Sequence, residues 1–204
     1  MGLRIMNYEK LKNVAGVSGG IPKSYFSKEQ GGEPSEYLLL PGVAAQKDGD
    51  IDELALTSVY GKSNKNLSRY VLSSGDVVLT AKGASTRASY VSEQLAARNI
   101  VPSANFIIIR ANKDKLHGEV LVAFLNSELG QAKLQLIKTG AVIANISLSS
   151  LKEIEVPLPS KDEQSHILKL YNVGKRAYKA TLLLAEQQRT VVDAQISNLL
   201  VGDK

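Results

Sequence analysis

The sequence predicts an α+β protein, a strand-rich body followed by one long helix suited to pairing with another helix. Three observations predict it. Up to Arg110, apolar runs of strand length alternate with glycine and proline turns. Between Leu116 and Ile137 the apolar period becomes helical. The prolines of Val156-Pro157-Leu158-Pro159 then stop any helix from running through, and no proline follows them.

Taken in order, Tyr8 to Val17 is a short mixed segment leading to the turn Ser18-Gly19-Gly20-Ile21-Pro22. The loop after it carries Lys23, Tyr25, Phe26 and Lys28, two cations and two aromatics that either meet phosphates and bases or anchor the loop. Beyond Gly31-Gly32-Glu33-Pro34, the run Glu36 to Leu40 has strand length and ends at Pro41-Gly42. The acidic cluster Asp48 to Glu53 lacks the ligand spacing of a calcium loop and reads as a solvated turn. Leu54 to Tyr60 reads as a weak strand. Gly61-Lys62-Ser63 is not a nucleotide phosphate loop, because Leu56 stands where that motif needs its first glycine. Lys62, Asn64 and Lys65 remain as a loop with donors for phosphate oxygens and base edges.

Ser73-Ser74-Gly75-Asp76 is a turn, Val77 to Thr80 a buried strand, and Ala81 to Arg87 a polar loop. Lys82 and Arg87 suit guanine edges or phosphates, and Ser85 and Thr86 suit either. Asn105 to Arg110 is a second strand of buried type. Helical sequence follows from Leu116, with Gly140 placed to stop it. Ala141 to Ser147 is extended and apolar, and Leu151 to Val156 alternates as a last strand.

The final helix starts afresh at Ser160-Lys161-Asp162-Glu163, a serine cap with a glutamate able to reach back and acid in the first turn. Tyr178, Leu182, Ala185, Val192, Ile196 and Leu199 recur at four-three spacing, broken only by Arg189. At 1.5 Å per residue the segment to Leu200 spans roughly 60 Å, more than one small body covers. Either it packs along its own domain, or it pairs with a second chain or a second half. Gly174 is its weak point, costing about 1 kcal/mol against alanine.

Composition bounds the function. The 204 residues, 44% apolar and 22% charged, allow one domain and the helix. There is no run of eighteen apolar residues and no leader, so a cytoplasmic protein without a membrane span is expected. The absence of cysteine excludes disulfides and thiolate metal sites. Net charge is +5, and from Leu54 to Arg110 seven basic residues face two acidic ones. That concentration fits a face for polyanions, or a solvated basic surface with no partner.

Catalytic signatures are missing. His117 and His166, the two histidines, support neither a triad nor a metal pair. No glycine fingerprint for a dinucleotide or a methyl donor is present, and no nuclease-like spacing of acid, acid and lysine. The expectation is a binder with no metal and no cofactor. An enzyme with a hidden carboxylate pair is the remote alternative.

Taken together, Ser18 to Pro22, Gly75-Asp76-Val77-Val78-Leu79 with Gly83, Phe124-Leu125-Asn126-Ser127, Gly140, Ile146-Ser147 with Leu151 to Ile154, and Val156-Pro157-Leu158-Pro159 with Glu163-Gln164 and Ile167 resemble the specificity subunits of type I restriction-modification systems. The order and spacing of these pieces carry the resemblance, which covers almost the whole chain. Ile21 stands where threonine is common, and no second glycine follows Gly83 in the usual place.

The resemblance implies one target recognition domain over residues 1–159 and one coiled-coil spacer helix over 160–204, half of the usual two-domain subunit. It further implies a non-catalytic protein whose partners are double-stranded DNA, a modification (methyltransferase) subunit and a restriction subunit. A homodimer through Tyr178, Leu182, Ala185, Arg189, Val192, Ile196 and Leu199 would restore two domains. The candidate DNA contacts are Lys23, Tyr25, Lys62, Asn64, Lys65, Lys82, Ser85, Thr86 and Arg87. Arg87 is expected to discriminate bases and Lys65 to bind all sequences alike. The rival reading is a coiled-coil adaptor indifferent to DNA sequence.

Overall fold

A computed structural model describes residues 7–26, 37–62, 64–83, 85–140 and 144–201. The chain forms β1 (Tyr8–Lys10), α1 (Leu11–Val14), β2 (Ala15–Gly19), β3 (Tyr37–Leu40), β4 (Thr57–Val59), β5 (Asp76–Thr80) and β6 (Ala88–Tyr90). It continues with α2 (Glu93–Ala96), β7 (Ile100–Pro102), β8 (Phe106–Ala111), α3 (Gly118–Asn126), α4 (Glu128–Leu136), β9 (Lys138–Thr139) and β10 (Asn145–Ile146). It ends with α5 (Leu148–Glu153), β11 (Glu155–Pro157) and α6 (Lys161–Val201). This is a mixed, strand-rich body with a long C-terminal helix. It divides into two compact units, Met1–Gln164 and Ser165–Lys204.

Two sheets organise the first unit. One has four antiparallel strands in the order β2-β8-β5-β6, and the other has three, β4-β3-β7, with β3 antiparallel to β4 and parallel to β7. Every residue of β5 is buried, as are Phe106 to Ile109 of β8, which is why both read as unbroken apolar runs. In β3 and β7 the period of two divides the side chains between two cores. Leu38, Leu40 and Ile100 join Val78, Phe106 and Ile108 of the larger sheet. Tyr37, Leu39 and Val101 turn the other way, onto Ile21, Leu67 and Tyr70. Residues 21–26 and 67–71 therefore form a cap on the smaller sheet. Helix α3 packs against β5 and β6.

A third, two-stranded pairing closes the unit. Strand β1 lies antiparallel to β11 with Tyr8 opposite Pro157, and Leu158 donates its amide to Asn7 O at 2.8 Å. Lys10 and Lys12 both hold Glu153 beside it, at 2.9 and 2.6 Å.

Several local expectations change. The acidic turn is a tight hairpin in which Ala45 bridges Ile51, with Gly49 at φ 83° and Asp48 accepting the Asp50 amide. Within Leu54 to Tyr60 only Thr57–Val59 is strand; Glu53–Ala55 is a 3-10 turn whose start is capped by Asp52. Helix α4 ends at Leu136, and Gly140, at φ 106°, instead follows β9. Leu151 does not begin a strand: Ser147 accepts the Ser150 amide at 3.0 Å and caps α5, leaving only Glu155–Pro157 extended. Lys28, Gly31 to Pro34, Ser63 and Ala141 to Ile143 lie outside the described residues.

Helix α6 starts as its sequence requires. Ser160 N donates to Glu163 Oε2 at 2.9 Å while Ser160 Oγ accepts from Glu163 N at 3.4 Å, a reciprocal cap. One turn in, Gln164 is 3% exposed; its amide nitrogen donates to Lys115 O and Pro159 O. The helix is continuous for 41 residues through Gly174, where an added Cβ would meet nothing within 4 Å. Residues 176–200 are all exposed.

Candidate nucleic-acid interface

The sequence-predicted cations of the first two loops converge on the cap of the smaller sheet. Gly20 donates its amide to Phe106 O at 2.9 Å and Ile21 to Pro102 O at 2.7 Å, tying the turn to the β7–β8 connection. The approach is so close that a Cβ at Gly20 would lie 2.1 Å from Ser103 O. Pro22 then launches a 3-10 turn, Lys23–Tyr25, whose fixed φ suits a helical start. Tyr25 O accepts the Lys62 amide at 2.9 Å, and Phe26 bridges Gly61, so the second loop is strapped to the first. Asn66 Oδ1 accepts from the amide of Ser68 at 2.8 Å and sets the 3-10 turn Ser68–Tyr70.

Lys23, Lys62, Asn64 and Lys65 are exposed on this cap around a half-buried Tyr25. Lys65 Nζ stands 5.4 Å from the Tyr25 ring centre, within cation–π range. Sequence reading missed the residue at the centre, Arg69. Its guanidinium carbon lies 4.6 Å above the Tyr70 ring, and Nη2 donates to Tyr25 Oη at 3.0 Å and also to Tyr70 Oη. The two tyrosine rings meet edge to face, centroids 5.6 Å apart. Those hydroxyls push the Arg69 pKa above its ordinary value, the bond it donates to Tyr70 contributing most. The only sequence signal was its place in the basic stretch, beside an aromatic residue.

The third loop is divided between surface and support. Lys82 and Ser85 are exposed. Thr86 is 7% exposed, and Arg87 sends Nη1 to Ala45 O at 3.0 Å and its amide to Thr80 Oγ1 at 2.7 Å. The Thr86 side chain is thus largely covered, and the half-buried Arg87 side chain also braces a neighbouring loop. Pairing of Gly19 with Ile107 and of Thr80 with Phe106 brings the ends of β2 and β5 to the start of β8. Loops 20–26 and 81–87 thus leave the larger sheet at the same end.

The basic stretch divides by pairing. Of the seven cations between Leu54 and Arg110, Arg98 pairs with Glu53 and Arg110 with Asp76. Among the described residues no carboxylate pairs with Lys62, Lys65, Arg69, Lys82 or Arg87. Such a surface holds an unneutralised positive potential, suited to phosphates. No group of three or more acidic or histidine side chains among the described residues is placed to hold a metal ion. No helix among them is long and apolar enough to cross a membrane.

Tyr178, Leu182, Val192 and Ile196 are each about half exposed and Leu199 is 84% exposed. Ala185 lies exposed on the same stripe, and Arg189 approaches Asp193 at 3.7 Å.

Residues 10–172 match the family model described as the type I restriction modification DNA specificity domain. No curated protein matches the chain. Among solved structures, the HsdS subunit from Thermoanaerobacter tengcongensis shares the fold at 20% identity and TM-score 0.59, over 90% of this chain and 46% of that one. A structure reported for complex assembly and conformational transition of the type I R-M system matches at 19% identity and TM-score 0.64, over 90% and 46%. The type I restriction-modification S subunit from M. genitalium matches at 18% and 0.56, over 95% and 46%. The chain therefore spans less than half the length of each.

Proposed function

Because the chain belongs to the type I restriction modification DNA specificity domain family, we propose that it is a DNA sequence-specificity subunit. It reads one half of a two-part target and positions methyltransferase and restriction subunits there. The observation that carries this reading is the cationic surface without carboxylate partners, built on two strapped loops inside the matched segment.

Residues 1–159 act as the target recognition domain and 160–204 as spacer and dimerisation helix. Lys23, Lys62, Lys65 and Lys82 contact phosphates, which fixes position on the duplex. Tyr25, Asn64 and Ser85 face base edges, which supplies discrimination. The chain uses no cofactor and performs no catalytic step; methylation and cleavage fall to its partners. It acts in the cytoplasm, where the DNA is.

A second copy supplies the other half. The heptad stripe from Tyr178 to Leu199, through Leu182, Ala185, Arg189, Val192 and Ile196, leaves apolar surface open along a helix that pairing would cover. A two-fold homodimer presents two equal reading heads and selects a palindromic, two-part site.

Selection of bound duplexes by the full chain from a randomised pool tests this. The expected result is one short half-site, enriched as an inverted repeat at a fixed spacing. Binding without any enrichment would leave a coiled-coil adaptor in its place.

A further inference from the structure

A guanidinium reads guanine through a two-pronged edge, either Nη1 with Nη2 or Nε with Nη2. Nη2 belongs to both edges. In Arg69 that nitrogen has two hydrogens and two acceptors, Tyr25 Oη and Tyr70 Oη, so neither edge is open as a fork. Nη1 and Nε retain donors for single bonds. The side chain is exposed, and no carboxylate among the described residues neutralises it. Tyr70, 8% exposed within the cap's core, anchors the stack, so little freedom is left to lose when a ligand arrives. Lys65 flanks Tyr25 and adds a second positive charge to the same ridge.

We infer that Arg69 is a positioning residue that holds one phosphodiester of the DNA backbone and reads no base. The assignment rests on the DNA-binding function proposed above. It divides the cap into a sequence-independent clamp, Lys65 and Arg69 seated against Tyr70, and base readers beside it, the half-buried Tyr25 among them.

The test uses the full chain, a mixed-sequence duplex and the duplex selected by the wild type, with binding measured over a range of salt. Arg69→Ala is expected to weaken both duplexes by the same factor and to reduce the slope of log affinity against log salt by about 1. Arg69→Lys keeps the charge but loses the seat on Tyr70, so it is expected to recover the wild-type salt slope with part of the affinity, and equally on both duplexes. Tyr25→Phe with Tyr70→Phe frees Nη2 and keeps the charge, so the salt slope should stay at its wild-type value. The inference is overturned if either Arg69 variant keeps its grip on the mixed duplex while losing preference at one base pair of the selected site. A wild type that holds the mixed duplex yet selects no sequence overturns the specificity reading alone. A wild type that binds no duplex at low salt overturns both.

Discussion

The side-chain oxygen of Gln164 accepts the backbone amide of His117 at 2.8 Å, joining the first turn of α6 to the cap residue of α3. The same side chain spends its amide hydrogens on Lys115 O at 2.8 Å and Pro159 O at 3.0 Å. Three backbone groups from two segments thus depend on one buried amide. Gln164→Ala is expected to destabilise the protein by about 1–3 kcal/mol, the cost of stranding buried polar groups. Gln164→Glu should be comparably costly, since a carboxylate cannot donate to the two carbonyls. Urea unfolding reports both; a midpoint unchanged at constant slope would show that water satisfies these groups.

The loop carrying Tyr25 depends on a glycine for contact and not for backbone angle. A methyl at Gly20 would run into the Ser103 and Pro102 carbonyls, at 2.1 and 2.7 Å, and backbone cannot step aside as a side chain would. Gly20→Ala is expected to cost about 1–3 kcal/mol through overpacking. Amide exchange should rise at Lys62, whose hydrogen bond to Tyr25 O requires the loop in place.

Arg87→Ala should lower stability by about 1 kcal/mol through its lost bond to Ala45 O, without touching the bases directly. Lys65→Ala should weaken all duplexes alike and leave the unfolding midpoint unmoved. A relaxed preference in Arg87→Ala at full stability would return that residue to the reading surface.

Glu153 provides a pH signature. Hydrogen bonds from Lys10 and then Lys12 pull its pKa down from 4.5 to about 2, and the Glu153 bond raises that of Lys10. A depressed carboxylate stabilises the fold above its ordinary pKa, and the contribution fades as pH falls from about 4.5 through about 2. For Lys10 the sign reverses: its share is present below 10.5 and fades as pH climbs through the raised value. Side-chain NMR titration of Glu153 should give a midpoint near 2 that returns towards 4.5 in Lys10→Met with Lys12→Met. Both groups are exposed, so high salt should shrink the shift.

Light scattering checks the helix. The full chain is expected as a dimer, and as a monomer after deletion of 178–204 or in Leu182→Asp with Ile196→Asp. Dimer mass in the deletion would place the contact elsewhere.

Much of the frame was legible because burial leaves a mark on composition. Strands β5 and β8, covered on both faces, read as apolar runs, and Ser160 with Glu163 announced the start of α6. Leu151 to Val156 reads as strand because Ile154 and Val156 alternate, although Leu151 and Ile154 fit a three-residue helical step; the deciding contact, from the Ser150 amide to Ser147, is local geometry. The first two loops were found by residue type, but their meeting depends on Phe26 bridging Gly61 across distant segments. Arg69 was one cation among seven until Tyr25 and Tyr70 were seen to converge on it. Thr86 and Arg87 share the composition of their exposed neighbours Lys82 and Ser85, and the burial of one and the bond of the other to the Ala45 carbonyl have no sequence signal.

The pairing of β1 with β11 places the chain's way into the strand-rich body beside its way out. A body with adjoining ends behaves as a cassette: a host chain opened at one point can accept it without its core being rethreaded. Such a body could then be exchanged between proteins by joining at Asn7 and Leu158, with the clasp of Lys10, Lys12 and Glu153 travelling inside the transferred piece. Any target preference the body carries would move as a unit, independent of α6.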